Sequence, residues 1–439
     1  MGARHPAASE HRGCATVDLI LLEKHPRVKP VPNSTPGEKF GQRSRQSMTY
    51  LQHRIWCTIV VAPLAAVFLL SIPADAQWSV RPGISVATDD RVQAPGWWPT
   101  KGTARRVDFV GTAQCAKCHE KQAIAHITAP MAQASAPAAY SQILQAADPF
   151  SAELAPFRYT LSRTAVTVTY SVTDRSTSLS APVAWAFGLG RKGQTYIYQH
   201  NGAFYESRLS FYRTLQGLDL TTGHDSATPD DLESALGRPL DADETRRCFA
   251  CHTTASTTAN RFDPSHVTPG ITCEACHGPG AKHVAAMKSG NIEDGRRAIL
   301  NLSRLSPIAS VDFCGACHRT WADVLQGGFT GIANVRFQPY RLENSRCWRK
   351  GDARLTCTAC HDPHQQLGLE AGSYDERCLA CHAATPAAKP TRDHPGAACP
   401  VGKNSCVTCH MPPVEFPSMH ATFTDHRIRI PRPGEPYPN

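Results

Sequence analysis

The sequence predicts a mainly α chain with irregular loops and one small antiparallel β insert at about residues 157–213. Three observations lead there. The pattern Cys-x-x-Cys-His occurs seven times in 439 residues. Six copies crowd into the 163 residues from 248 to 410, about 27 residues each, too few to wrap a separate apolar core around every one. Only within 157–213 do apolar and polar residues alternate with period two, as a half-buried strand requires.

The motif is the attachment signal for haem c. Its copies are Cys115, Cys118, His119; Cys248, Cys251, His252; Cys273, Cys276, His277; Cys314, Cys317, His318; Cys357, Cys360, His361; Cys378, Cys381, His382; and Cys406, Cys409, His410. Two thiols about one helical turn apart can each form a thioether to a haem vinyl group, and the adjacent His reaches the iron as proximal ligand. A zinc site or a redox dithiol would give paired Cys-x-x-Cys units or one dithiol, not a His after every pair. Seven covalently bound haems c are therefore expected, with the porphyrins themselves serving as core in a multihaem cytochrome c fold.

The formal charge of +9 would suit nucleic acid or a membrane surface. Each haem brings two propionates, so seven would add about fourteen negative charges and reverse the sign. No basic run with interleaved aromatics occurs in the haem region, and nucleic acid is not expected as a partner.

Taken in order, residues 1–47 are polar and aperiodic, and read as a non-native or disordered extension. Residues 48–76 read as a secretory signal peptide: Arg54, the apolar run 55–72, then Ala74-Asp75-Ala76 before Gln77. An uncleaved membrane anchor is the alternative, because 18 apolar residues can just span a bilayer. A signal beginning at Met48 suggests that translation starts there. Residues 77–156 form a lead-in and the first haem site, where Cys115–His126 reads as one helix. Residues 157–213 form the β insert of about four strands, with an Asn201-Gly202 hairpin turn. Residues 214–430 carry the six-haem core and 431–439 a loose tail.

Export removes Cys14 and Cys57 and leaves sixteen cysteines, fourteen of them in motifs. Cys347 and Cys399 remain as a candidate disulfide.

Seven proximal His fill one axial site per iron. Nine others lie after residue 77: His126, His200, His224, His266, His283, His364, His394, His420 and His426. Low-spin electron-transfer haems need a strong second ligand. His283 and His364 are the leading distal candidates: each follows its motif too closely to bind its own iron from the far face and so points to a neighbouring haem. His394, His420, His426 and His126 follow, then His224 and His266. His200, beside the hairpin turn, is last.

The runs CEACHGPG-x-x-H, CHDPH and CPVGKNSCVTCHMP…FTDHRIRI resemble the cytochrome c554 family of multihaem cytochromes, in the wider superfamily of pentahaem nitrite reductases and hydroxylamine oxidoreductase. The resemblance covers roughly residues 108–430. It implies a periplasmic, mainly helical protein with closely stacked haem pairs that passes electrons, and it implies distal roles for His283 and His364. The Cys-x-x-Cys-Lys site of the nitrite reductases is missing, and Cys347-Trp-Arg-Lys350 has one thiol only. Seven haems is not the number in cytochrome c554.

Two functions follow. The first is a periplasmic electron carrier passing electrons along a stacked haem array between redox proteins, such as a quinol-oxidising membrane complex or periplasmic and outer-membrane cytochromes. The second is a reductase or oxidase of small nitrogen or sulfur compounds at one five-coordinate haem. The first is favoured, since no residues single themselves out as proton donors at an open iron. A homo-oligomer is compatible with either.

Overall fold

The computed structural model describes residues 104–439 apart from 147–148, 259–260, 350–353, 383–398, 400, 403, 433, 436 and 438–439. The expected signal peptide, the segment before it and His394 lie outside the described residues.

The chain is not mainly α. Helix makes up 39% and strand 24% of the described residues, and ten strands gather into one antiparallel sheet, beside three two-stranded ribbons. They are β1 (Ser135–Pro137), β2 (Phe150–Leu154), β3 (Phe157–Arg163), β4 (Val168–Thr173), β5 (Ser178–Phe187), β6 (Gly193–His200), β7 (Ala203–Ser207), β8 (Leu209–Tyr212), β9 (Gly217–Leu220) and β10 (Gly237–Leu240). The order is β10-β7-β6-β5-β4-β3-β2, with β1 on β5, and β8 between β6 and β9.

Burial explains why the sequence shows only part of this sheet. β3 and β4 bury alternate residues, Phe157, Tyr159, Leu161 and Val168, Tyr170, Val172, which gives the period-two pattern. β6 is buried continuously from Gly193 to Tyr198, so a strand covered on both faces loses its alternation. β5 contains Pro182 and several small residues, and β1, β9 and β10 are too short to show a period. The hairpin turn falls at Asn201-Gly202, where both residues have positive φ, 49° and 80°, and His200 pairs with Ala203. That is the backbone a two-residue primed turn demands.

One sheet face packs on itself through Tyr159, Tyr170, Tyr196, Tyr198, Leu209 and Phe211. On the other, Phe187 and Ile197 meet Leu240, Cys248 and Phe249. The sheet is thus the seat for the second haem motif. The helix carrying that motif, Ala242–His252, starts at a capping box: Asp241 accepts from the amides of Asp243 and Glu244, and Glu244 accepts from the Asp241 amide.

The other motifs sit on short helices, Cys273–His277, Pro307–His318, Cys357–Cys360, Asp375–His382 and Cys406–His410. The first motif departs from the expected single helix. It breaks between Thr112–Ala116 and Glu120–His126, with His119 outside the helical region at φ −116°, ψ 45°. Among the described residues no helix is long and apolar enough to cross a membrane.

Candidate haem sites

A histidine that binds iron through Nε2 is oriented by what its Nδ1–H touches. His252 donates from Nδ1 to the carbonyl of Ala134 at 3.0 Å, His277 to Leu300 at 2.9 Å and His410 to Arg429 at 2.8 Å. His283 donates to Gly295 at 2.8 Å and His426 to Thr424 at 3.0 Å. Nδ1 of His318 faces the Gln338 side-chain oxygen at 3.3 Å, and Nδ1 of His364 faces Asp362 at 3.1 Å. Each tether leaves Nε2 free for a metal. Burial lowers the pKa of His252, His277 and His361, and brings His318 and His426 to about 4. These rings are neutral at pH 7, the form that coordinates.

Two imidazoles on opposite faces of one iron, each with a metal–nitrogen bond near 2.0 Å, have ring centroids roughly 6.3 Å apart. The structure holds His119 and His283 at 6.3 Å, His277 and His364 at 6.0 Å, and His361 and His426 at 6.2 Å. Each pair joins a motif His to one from elsewhere in the chain. His126 lies 6.4 Å from His364 at 65°, flanking the second pair. The donor set and its spacing fit covalent haem with two imidazole ligands.

The other candidates are engaged differently. His420 binds Asp219 through Nε2 at 2.7 Å, and His224 binds Glu206 through Nε2 at 3.1 Å. His200 meets Glu233 through Nε2 at 2.8 Å. His266 pairs through Nδ1 with Asp263 at 2.6 Å. Cys399 lies beside His410 and the amides of Val401 and Gly402, whereas Cys347 lies near Cys360.

The motifs touch one another. Motif cysteines lie next to one another in three places, Cys115 beside Cys273, Cys314 beside Cys357, and Cys378 beside Cys406. The Cys251 thiol lies 3.8 Å from the Ala316 carbonyl oxygen, bringing the second motif to the fourth. Two carboxylates brace these contacts. Glu274, between the cysteines of the third motif, accepts from the amides of Val110 and Gly111 ahead of the first motif and of Gly280 behind its own, at 2.8–2.9 Å. Asp375 accepts from the amides of Ser405 and Cys406 at 2.6 and 2.8 Å, tying the sixth motif to the seventh. Sequence reading missed both, because a carboxylate that binds distant amides leaves no spacing signal.

Seven Cys-x-x-Cys-His motifs, several with the His tethered through Nδ1 and three with a second imidazole at coordination spacing, are the marks of a multihaem c-type cytochrome, and the chain is one. Residues 219–278, spanning the second and third motifs, match the family model described as cytochrome c554 and c-prime. The chain is similar to the multiheme cytochrome MtrA of Shewanella baltica (strain OS185), 26% identical over 206 residues, covering 36% of this chain and 59% of the relative. It thus spans about three-fifths of the length of that curated relative. The crystal structure of the outer cell wall cytochrome OcwA aligns at 16% identity over 69% of this chain and 67% of that one, with a TM-score of 0.33, too slight a likeness to share a fold by.

Proposed function

We propose that the protein carries seven haems c, one at each motif, and passes electrons along them between redox proteins in the periplasm. Haem iron supplies one-electron chemistry; the chain's part is to hold the irons in sequence, fix their ligands and keep them dry. The contact path supports this reading. It runs from the first motif to the third through Cys115–Cys273, and from the third to the fifth through His277–His364. The fourth joins the fifth through Cys314–Cys357 and takes in the second at Ala316. Cys378 lies near Cys360 and beside Cys406, which adds the sixth and seventh. No motif is left off the path.

Periplasmic placement is supported by the leader-like segment 48–76, and by the need of covalent haem for an exported chain. Mass spectrometry of the purified protein tests the count: seven haem masses on a chain starting near Gln77 are expected, and fewer would reject it. Alkylation under denaturing, non-reducing conditions tests a Cys347–Cys399 bridge, since two labelled thiols would remove it.

A second reading, reduction or oxidation of small nitrogen or sulfur compounds at a five-coordinate haem, has room at motif histidines such as His252, His318 and His410, for which no imidazole pair like those of His119, His277 and His361 is found among the described residues. An electron paramagnetic resonance spectrum separates the two: a wholly low-spin protein that binds neither CO nor nitrite is a wire, and a high-spin ferric haem favours the enzyme.

A further inference from the structure

Behind the His361–His426 pair lies a buried charge cluster drawn from two distant parts of the chain. Arg341, in the helix Gln338–Glu343, grips Asp425 with two parallel hydrogen bonds, Nε to Oδ1 at 2.8 Å and Nη2 to Oδ2 at 2.9 Å. Both side chains are 0% exposed. Arg429 reaches the same carboxylate through Nη1 and is 16% exposed. Two guanidinium groups therefore converge on one carboxylate out of water, an arrangement that favours a further anion. Two polar atoms at this cluster are buried with no hydrogen-bond partner, the Arg429 Nε and the Tyr437 hydroxyl. Tyr437 lies under the Arg341 guanidinium, 4.5 Å from its ring centroid. A buried donor left unmatched destabilises the fold, more so when it is charged.

The cluster is joined to two haem sites at once. Asp425 directly precedes His426, and Ser345 donates its hydroxyl to the His426 carbonyl. The Arg429 carbonyl accepts from Nδ1 of His410, the proximal His of the seventh motif.

We propose that Arg429 and Tyr437 clamp a propionate of the haem held between His361 and His426, through Arg429 Nε–H and the Tyr437 O–H. The proposal rests on the reading that this pair shares one iron. A propionate carboxylate is the anion class that fits: it is planar, it accepts from two donors, and it belongs to the group whose axial ligand is the neighbour of Asp425. The Arg429 side chain would then set the potential of one haem while its backbone orients the proximal ligand of another. Reduction adds one negative charge to the haem, and a cation that neutralises a propionate stabilises the reduced form.

The test uses the full haem-loaded protein. Arg429→Gln lowers the midpoint potential of one haem in spectroelectrochemical titration and shifts its propionate bending mode in resonance Raman. Tyr437→Phe does the same to a smaller extent. The affected haem is the one whose low-spin signal His426→Ala abolishes. Arg429→Lys, which keeps the charge and guards against misfolding of the Gln variant, restores most of the potential but not the vibrational mode. Unchanged potentials and modes in folded Arg429→Gln overturn the clamp, as does a shift confined to a haem that His426→Ala leaves untouched. The parent reading fails separately, if His426→Ala leaves every haem low-spin.

Discussion

The rings of His277 and His364 lie 6° from parallel with centroids 6.0 Å apart, the separation of two imidazoles on one metal. His277 comes from the third motif, while His364 follows the fifth by three residues. One iron held between these rings would lock two motifs together. His364→Ala is expected to convert one low-spin haem to high-spin, read as a new high-spin ferric signal. His126→Ala, although its ring is 6.4 Å from His364, is expected to leave the iron at His277 low-spin. A low-spin His364→Ala protein with a high-spin His126→Ala protein would reverse the assignment.

Glu274 is 3% exposed and accepts from three backbone amides in two segments more than 160 residues apart in sequence. Glu274→Ala leaves those amides without their acceptor, at about 1–3 kcal/mol each before relaxation and water entry offset part of it. A net loss of about 3 kcal/mol is expected from the shift of the denaturant midpoint at unchanged slope. Glu274→Gln keeps one acceptor oxygen and should lose less. Equal stability of the Ala variant and the parent would show that the brace carries nothing.

How much of this was legible beforehand follows the range of each interaction. The haem motifs are pentapeptides, and the Asn201-Gly202 turn needs only two residues of positive φ, so both show in the sequence. The full sheet does not, because β6 is buried on both faces and β10 joins the sheet only by pairing with β7. That pairing seats the helix of the second motif, and it turns an expected small insert into a sheet running from Ser135 to Leu240. Distal ligands are harder still. His426 and His420 both follow the last motif in a Pro-rich segment, and only the fold shows that His426 faces His361 while His420 meets Asp219. The Arg341–Asp425 contact joins residues 84 apart and leaves no pattern to read.

Asp375 carries a pH dependence. The amide of Cys406 chiefly, and then that of Ser405, hold its carboxyl below the ordinary aspartate range. The folded pKa is depressed, so the stabilising contact is complete above about pH 4, the unfolded value, and is lost as pH falls through the lower folded value. Hydrogen exchange at the Ser405 and Cys406 amides, corrected for intrinsic rate, should stay protected at pH 5 to 7 and lose protection toward pH 3. Asp375→Ala should be unprotected across the range, and full protection in that variant would dismiss the carboxylate as the cause.

His224 and His420 each give Nε2 to a carboxylate, Glu206 and Asp219, and so are expected to hold protein to protein rather than iron. His224 and Glu206 side chains are both 4% exposed, and Glu206 also binds Arg238 at 3.0 Å. Removing the imidazole leaves a buried carboxylate with one cation instead of two hydrogen-bonding partners, at a cost of about 1–3 kcal/mol. His224→Ala should therefore lower the melting temperature with every haem still low-spin. His420→Ala, at a half-exposed pair that links β9 to the C-terminal segment, should cost less and also leave the spin state unchanged. A high-spin signal in either variant would make that histidine an axial ligand, and would mean that its carboxylate contact gives way when iron is bound.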